Sequence, residues 1–147
     1  MALSKLSSLY MAVVADHSKN PHHRGSIDGV EAVVLNNPTC GDVISLSVKF
    51  EDDRIADIAF VGDGCTISIA SSSMMTDAVK GKTKAEALEL IQIFSEMVQG
   101  QENPKQKELG EAELLAGVAK FPQRIKCSTL AWHALEKAIR RSQVDGE

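Results

Sequence analysis

The sequence predicts an α+β fold, a small three-stranded antiparallel sheet with helices packed on one face. Three observations carry this. Alternating apolar and polar residues run through Val43–Phe50 and Ile55–Val61, the pattern of half-buried strands. The four-residue link Glu51-Asp52-Asp53-Arg54 between them is short enough for a hairpin. From Cys65 onward the apolar period lengthens to that of helices, so strands and helices are segregated rather than interleaved.

Residues 4–18 begin the chain as a helix, with Leu6, Leu9, Val13 and Val14 at helical spacing. The polar run Lys19-Asn20-Pro21-His22-His23-Arg24-Gly25 ends it. A short apolar strand is expected over Val30–Leu35. In the second strand Ile44, Leu46, Val48 and Phe50 share one face, and in the third Ala56, Ile58 and Phe60 do. One apolar and one wet face mean that helices cover one side only. Residues 66–80 form a helix rich in small residues, including the Ser71–Ser73 run, which permits close packing; Gly81 stops it. Thr83 and Glu86 form a capping box for the next helix, whose buried stripe is Ala87, Leu88, Ile91, Phe94 and Val98, with Gly100 beyond its end. A polar excursion over 101–108 leads to a helix at about 110–120. The last helix is expected to begin near Cys127, with Leu130, Ala131, Ala134, Leu135, Ala138 and Ile139 inward.

With 147 residues the chain reads as one domain, 1–147, long enough to bury a core. The formal charge of −4 is interspersed and offers no basic stripe for nucleic acid. Met1–Val14 lacks the basic region, apolar run and cleavage site of a signal peptide, and no stretch is apolar enough to span a membrane. The expected address is the cytoplasm, where thiols stay reduced.

Against that background the three cysteines stand out. Cys40 lies in Asn37-Pro38-Thr39-Cys40-Gly41-Asp42, Cys65 in Gly62-Asp63-Gly64-Cys65-Thr66, and Cys127 in Arg124-Ile125-Lys126-Cys127-Ser128. Each sits at a turn or an expected helix start, where the helix dipole and neighbouring cations favour thiolate. Three separate inert thiols remain the plain alternative. If the three converge, zinc needs a fourth ligand. No histidine has useful spacing, since His133 falls six positions after Cys127. Asp42 is the nearest oxygen donor and Asp63 its rival. Arg124 and Lys126 would offset part of the net negative charge of such a site.

Other features have ordinary readings. Gly62-Asp63-Gly64 lacks the continuation of a phosphate loop and reads as a tight turn. His22-His23 suggests a metal, but adjacent side chains point apart and the loop is polar, so a solvated loop is the favoured reading. Trp132 and Phe121 are core candidates that could also border a partner, and Met74 and Met75 fill gaps.

At these residues the chain resembles the U-type iron–sulfur assembly family, in its SufU branch. The matching runs are Asn36 through Asp42; Gly62, Gly64, Cys65, Ile67, Ser68, Ala70, Ser71, Ser73, Met74 and Met75; and Phe121, Pro122, Arg124 through Cys127, Leu130 and Trp132. Leu9-Tyr10 and Asp16-His17-x-Lys19-Asn20-Pro21 match as well, so the likeness spans essentially the whole chain. IscU-like proteins carry a histidine just before the third cysteine, where this chain has Lys126. SufU-like proteins carry an insertion between the second and third cysteines, here about 100–118.

The resemblance implies an IscU/SufU-like fold and a zinc-containing sulfur acceptor for a SufS-type cysteine desulfurase. It implies zinc ligands at Cys40, Asp42, Cys65 and Cys127, with Cys40 receiving the sulfur and passing it to a downstream iron–sulfur scaffold complex. Pyridoxal phosphate would belong to the desulfurase, and a histidine of that partner would replace Cys40 on zinc. Arg124 is expected to be auxiliary, orienting Asp42 or touching the partner. The alternatives are a transient iron–sulfur cluster on Cys40, Cys65 and Cys127, and a purely structural zinc domain. Neither nucleic acid nor membrane is an expected partner.

Overall fold

The computed structural model describes residues 2–38, 41–101 and 103–145, with side chains from 11 to 142 apart from 39, 40 and 102. Helix α1 (Ala2–Lys19) precedes strands β1 (Val33–Asn37), β2 (Asp42–Glu51) and β3 (Arg54–Asp63). Helices α2 (Thr66–Val79) and α3 (Lys84–Val98), a 3-10 segment (Gln106–Lys120) and helix α4 (Pro122–Asp145) complete the chain. The sheet has the order β1-β2-β3, antiparallel throughout.

Side-chain alternation puts Ile44, Leu46 and Val48 of β2 inward together with Ile58 and Phe60 of β3. At the hairpin end the register shifts: Lys49 pairs with Asp57 but Phe50 pairs with Ile55, leaving Ala56 as the extra residue of a bulge. The bulge turns Ile55 fully into the core and leaves Ala56 half-buried. The expectation that Ala56 continues the inner face of Ile58 and Phe60 therefore fails for a local reason. The first strand starts three residues later than Val30 and runs on to Asn37. The outer face keeps Val34, Val43 and Val61 exposed. The free edge of β3 is covered by the loop after α1, since Gly25 N–H donates to the Phe60 carbonyl at 2.8 Å and Phe60 N–H to the His23 carbonyl at 3.0 Å.

Helix α2 is central, touching α1, α3, α4, β3 and the 3-10 segment. Its small residues allow this, and its buried hydroxyls are largely spent within the packing. Ser71 Oγ donates to the Ser128 carbonyl at 2.5 Å and accepts from Trp132 Nε1 at 2.9 Å. Trp132, 1% exposed, also stacks on Phe94 with ring centroids 4.2 Å apart. This joint fixes α4 against both α2 and α3. The predicted Thr83–Glu86 capping box is present at the start of α3, and Lys84 N–H donates to Asp53 at the hairpin turn (2.8 Å).

Two helical expectations need correction. The segment read as a helix over 110–120 is a 3-10 segment from Gln106, broken at Gly110, whose φ of +63° suits glycine. Its buried residues Leu109, Ala112, Leu115 and Val118 recur every third position, the period of a 3-10 helix rather than an α-helix. The final helix begins at Pro122, five residues before Cys127. Proline is tolerated at a first helical position because its missing N–H has no partner there in any helix.

Candidate metal centre

One end of the sheet carries polar residues where the alternation would place apolar ones. Asp42 opens β2 on the same face as Ile44 and Leu46, and its Cα partner Asn37 closes β1 on the face of Val33. Both are buried, Asp42 completely. A buried carboxylate needs hydrogen-bond donors. Asp42 Oδ1 accepts from the backbone N–H of Cys65 at 2.8 Å, and Asn37 Nδ2 approaches Oδ2 at 3.5 Å. The same Asn37 amide lies 3.7 Å from Cys127 Sγ.

Cys65 is the N-cap residue of α2, extended (φ −74°, ψ 165°) and half-buried. No side-chain cap bond occupies its thiol. Cys127 is 1% exposed, inside the second turn of α4 rather than at its start. The helix-terminus field invoked for Cys127 from sequence is thus weaker than supposed. What brings Cys65 and Cys127 together is the docking of α2 on α4 through Ser71, Ser128 and Trp132. The ligand atoms of Asp42, Cys65 and Cys127 all lie within 4.8 Å of one another.

Two glycines shape the approach. A Cβ on Gly64 would stand 2.3 Å from Asp42 Oδ1, so the turn before Cys65 closes over the carboxylate only because no side chain is there. Gly41, with φ +72°, takes the left-handed conformation that lets its N–H reach the Asn37 carbonyl at 2.8 Å. Cys40 and Thr39 lie outside the described residues.

Arg124 stands one turn before Cys127 on α4, with an exposed side chain. Its guanidinium is held above its ordinary pKa chiefly by the charge of Cys65, with Cys127 and hydrogen bonding to both sulfurs adding to this and partial desolvation opposing it. Arg124 therefore faces the thiols. Lys126 and Asp63 are exposed, as is His133 further along α4. Of the two core candidates that could also border a partner, Phe121 is 56% exposed just before Pro122, whereas Trp132 is core. Asn37 is the residue that sequence reasoning passed over. Its signal was the β1 alternation, had the strand been carried past Leu35.

The donor set is two soft sulfurs and one carboxylate oxygen, the chemistry that selects zinc or an iron–sulfur centre over magnesium or calcium. Tetrahedral zinc holds sulfurs at about 2.3 Å and oxygens at about 2.0–2.2 Å, so ligand atoms sit roughly 3.3–3.8 Å apart. The described donors fit such an ion after shifts on the order of an ångström.

The description of NifU-like N-terminal domains matches residues 9–128. A Streptococcus pyogenes serotype M1 protein named iron–sulfur cluster assembly scaffold protein IscU is 82% identical over 142 residues, covering 97% of this chain and 89% of that relative. A Bacillus subtilis protein named zinc-dependent sulfurtransferase SufU is 49% identical over 140 residues, 95% of each chain. Among solved structures, a Fervidobacterium islandicum protein described as an iron–sulfur cluster assembly scaffold for the SUF system superposes with a TM-score of 0.82 at 36% identity, covering 86% of this chain and 93% of that one. No helix among the described residues is long and apolar enough to cross a membrane.

Proposed function

The chain belongs to the family of NifU-like N-terminal domains, in its IscU/SufU group, and from that premise we propose that it serves iron–sulfur cluster assembly as a zinc-containing sulfur acceptor for a cysteine desulfurase of the SufS type. The observation that carries this reading is the convergence of Asp42, Cys65 and Cys127 within 4.8 Å, with Arg124 against both sulfurs. Lys126, in place of a histidine before the third cysteine, and the 3-10 segment between the second and third cysteines support the transfer role over a stable scaffold.

In this reading Asp42, Cys65 and Cys127 hold the ion together with Cys40. Bound zinc would supply charge compensation that keeps the cysteines as thiolates at neutral pH. Asp42 stays anchored by the Cys65 N–H. Arg124 offsets the excess negative charge. Cys40 is the acceptor: its thiolate attacks the outer sulfur of the desulfurase persulfide, a sulfur–sulfur bond forms at Cys40, the partner's sulfur–sulfur bond breaks, and the partner's cysteine leaves as thiolate. No external oxidant is needed. The sulfur then passes to a downstream assembly complex in the cytoplasm.

The test is turnover of the desulfurase with and without the zinc-loaded chain, with mass analysis of its cysteines. Stimulated turnover and one added sulfur atom on Cys40 are expected. A Cys40→Ser chain that accepts sulfur at the wild-type rate would reject the assignment. The scaffold reading is favoured by the name of the 82% identical relative. It predicts instead that anaerobic reconstitution with iron and sulfide gives stoichiometric visible absorbance and a cluster that can be handed to an acceptor protein.

A further inference from the structure

Away from the thiols, the loop after α1 folds back onto α2 and gathers a second group of ligating side chains. His17, near the end of α1, is 1% exposed. Its Nδ1 lies 2.6 Å from Ser73 Oγ and its Nε2 3.0 Å from Glu111 Oε1 of the 3-10 segment. Ser73 Oγ also accepts from the backbone N–H of His22 at 2.8 Å, which pins the loop. One turn further along α2, Asp77 Oδ2 lies 2.5 Å from His22 Nδ1, while His23 Nδ1 bonds Thr76 Oγ1 at 2.9 Å and lies 3.5 Å from Asp77 Oδ1. The rings of His17 and His22 are 4.5 Å apart between centroids. Both histidines reach the Thr76–Asp77 corner of α2, His23 being left-handed (φ +58°), which offsets the usual divergence of neighbouring side chains.

We propose that His17, His22 and Asp77 form a second site for a divalent transition ion of the zinc or nickel class, separate from the cysteine centre. Their ligand atoms lie within 4.8 Å of one another, the same closeness found among Asp42, Cys65 and Cys127. Imidazole with carboxylate is a donor set that such ions accept. The surroundings match what a ligating histidine needs. Binding through His17 Nδ1 would displace its contact with Ser73 and leave Nε2 on Glu111, the bond that sets the ring orientation. The carboxylates of Asp77 and Glu111 balance the charge of a dication.

Around a tetrahedral ion, nitrogen and oxygen ligands stand roughly 3.3 Å apart. His22 and Asp77 must therefore separate by somewhat under an ångström, the ion taking the place of the direct contact between them. Both can move, their side chains being 42% and 38% exposed. His17 is the preorganised ligand, and the two exposed residues close on the ion. The site lies about 18 Å along α2 from Cys65, counting twelve residues of helical rise to Asp77, so it does not compete with the thiolates for one ion. A bound ion would clamp α1, the loop and α2, with the 3-10 segment joined through Glu111.

The test titrates Ni²⁺ into the full-length chain already loaded with one zinc per molecule, following heat, the thermal midpoint and retained zinc. Wild type is expected to take one further ion with a raised midpoint and no loss of zinc. The exposed-site variants His22→Ala and Asp77→Asn, which spare the buried core, should abolish that second event, and Glu111→Gln should weaken it about tenfold. Each variant should keep its single zinc. Absence of a second event in wild type below roughly millimolar Ni²⁺, or a second event unchanged in both His22→Ala and Asp77→Asn, would overturn the proposal.

Discussion

Replacing Gly64 with alanine is expected to destabilise the metal-free protein through Asp42, which supplies the three atoms nearest to the added Cβ. The Gly64 backbone is outside the left-handed region, so alanine meets no conformational penalty there. Its Cβ, however, would stand 2.3 Å from Asp42 Oδ1 and 3.0 Å from Cγ. The carboxylate is fully buried and cannot escape into solvent. It must rotate, which breaks the 2.8 Å bond from Cys65 N–H. Overpacking at a tight site costs about 1–3 kcal/mol, and a hydrogen bond to a charged group is worth about 1.5–3 kcal/mol. Partial relaxation puts the sum at about 2–4 kcal/mol. For a chain of this size that corresponds to a thermal midpoint lower by about 5–15 °C. The assay is thermal unfolding with chelator present, in wild type, Gly64→Ala, Asp42→Ala and the double variant. With the carboxylate gone, the Gly64→Ala cost should fall below about 1 kcal/mol, giving a coupling of 1 kcal/mol or more. A midpoint within about 1 °C of wild type, or an undiminished cost in the Asp42→Ala background, would refute the steric account.

Trp132→Phe removes the indole bond to Ser71 and part of the stack on Phe94. It should cost about 1–3 kcal/mol in urea unfolding, and an unchanged midpoint would show that α4 is held otherwise. Thr83→Ala removes the cap that accepts from Glu86 N–H and should cost about 1 kcal/mol. The Glu86 carboxylate in turn accepts from Thr83 N–H, and its pKa is lowered from the ordinary value, first by the Thr83 backbone bond and then by the Thr83 hydroxyl. The ionised form is therefore favoured by folding: its contribution is fully present above 4.5 and is lost as pH falls through the lowered folded value. The stability difference between wild type and Glu86→Gln should shrink over that acid range, and one that grows there would contradict the assigned direction.

Most of the architecture was legible because it follows from local periodicity. The β2–β3 hairpin, the α3 capping box and the antiparallel three-stranded sheet all came from alternation, turn length and cap chemistry. The errors arose where a neighbour overrode the local pattern. Ala56 was misplaced because a bulge depends on cross-strand pairing, which no single strand reveals. The expectation that α4 begins near Cys127 misses Pro122 as its first residue, because proline at N1 opens a helix without losing any hydrogen bond. The three-residue spacing of Leu109, Ala112, Leu115 and Val118 was in the sequence and named the 3-10 form, but an α-helical template hides it. His22 and His23 were read as diverging, which holds for extended chain and fails at the left-handed His23. Asp42 was legible as a candidate oxygen donor; that it continues the inward alternation of β2 gives the physical reason it reaches the helix layer.

Arg124 tests whether charge at the thiols is a long-range field or a specific contact. Its elevated pKa comes first from Cys65, with hydrogen bonding to both sulfurs a smaller part. Exposed charge pairs of this kind are weak, so Arg124→Gln should lower zinc affinity only about two- to fivefold. The fold of the metal-free chain should be unchanged, because Arg124 is exposed and buries no core surface. If the effect is the field of a point charge, Arg124→Lys should retain most of the affinity, and the gap between wild type and Arg124→Gln should narrow between about 0.05 and 1 M salt as the screening length falls to about 3 Å. If the effect is a directed bond from the guanidinium fork, lysine should do no better than glutamine and the gap should survive high salt. Competition with a chromophoric zinc chelator at the two salt concentrations separates these. The order of causes predicts the first pattern; a salt-insensitive gap that lysine does not close would show that Arg124 acts on the sulfurs by contact geometry instead.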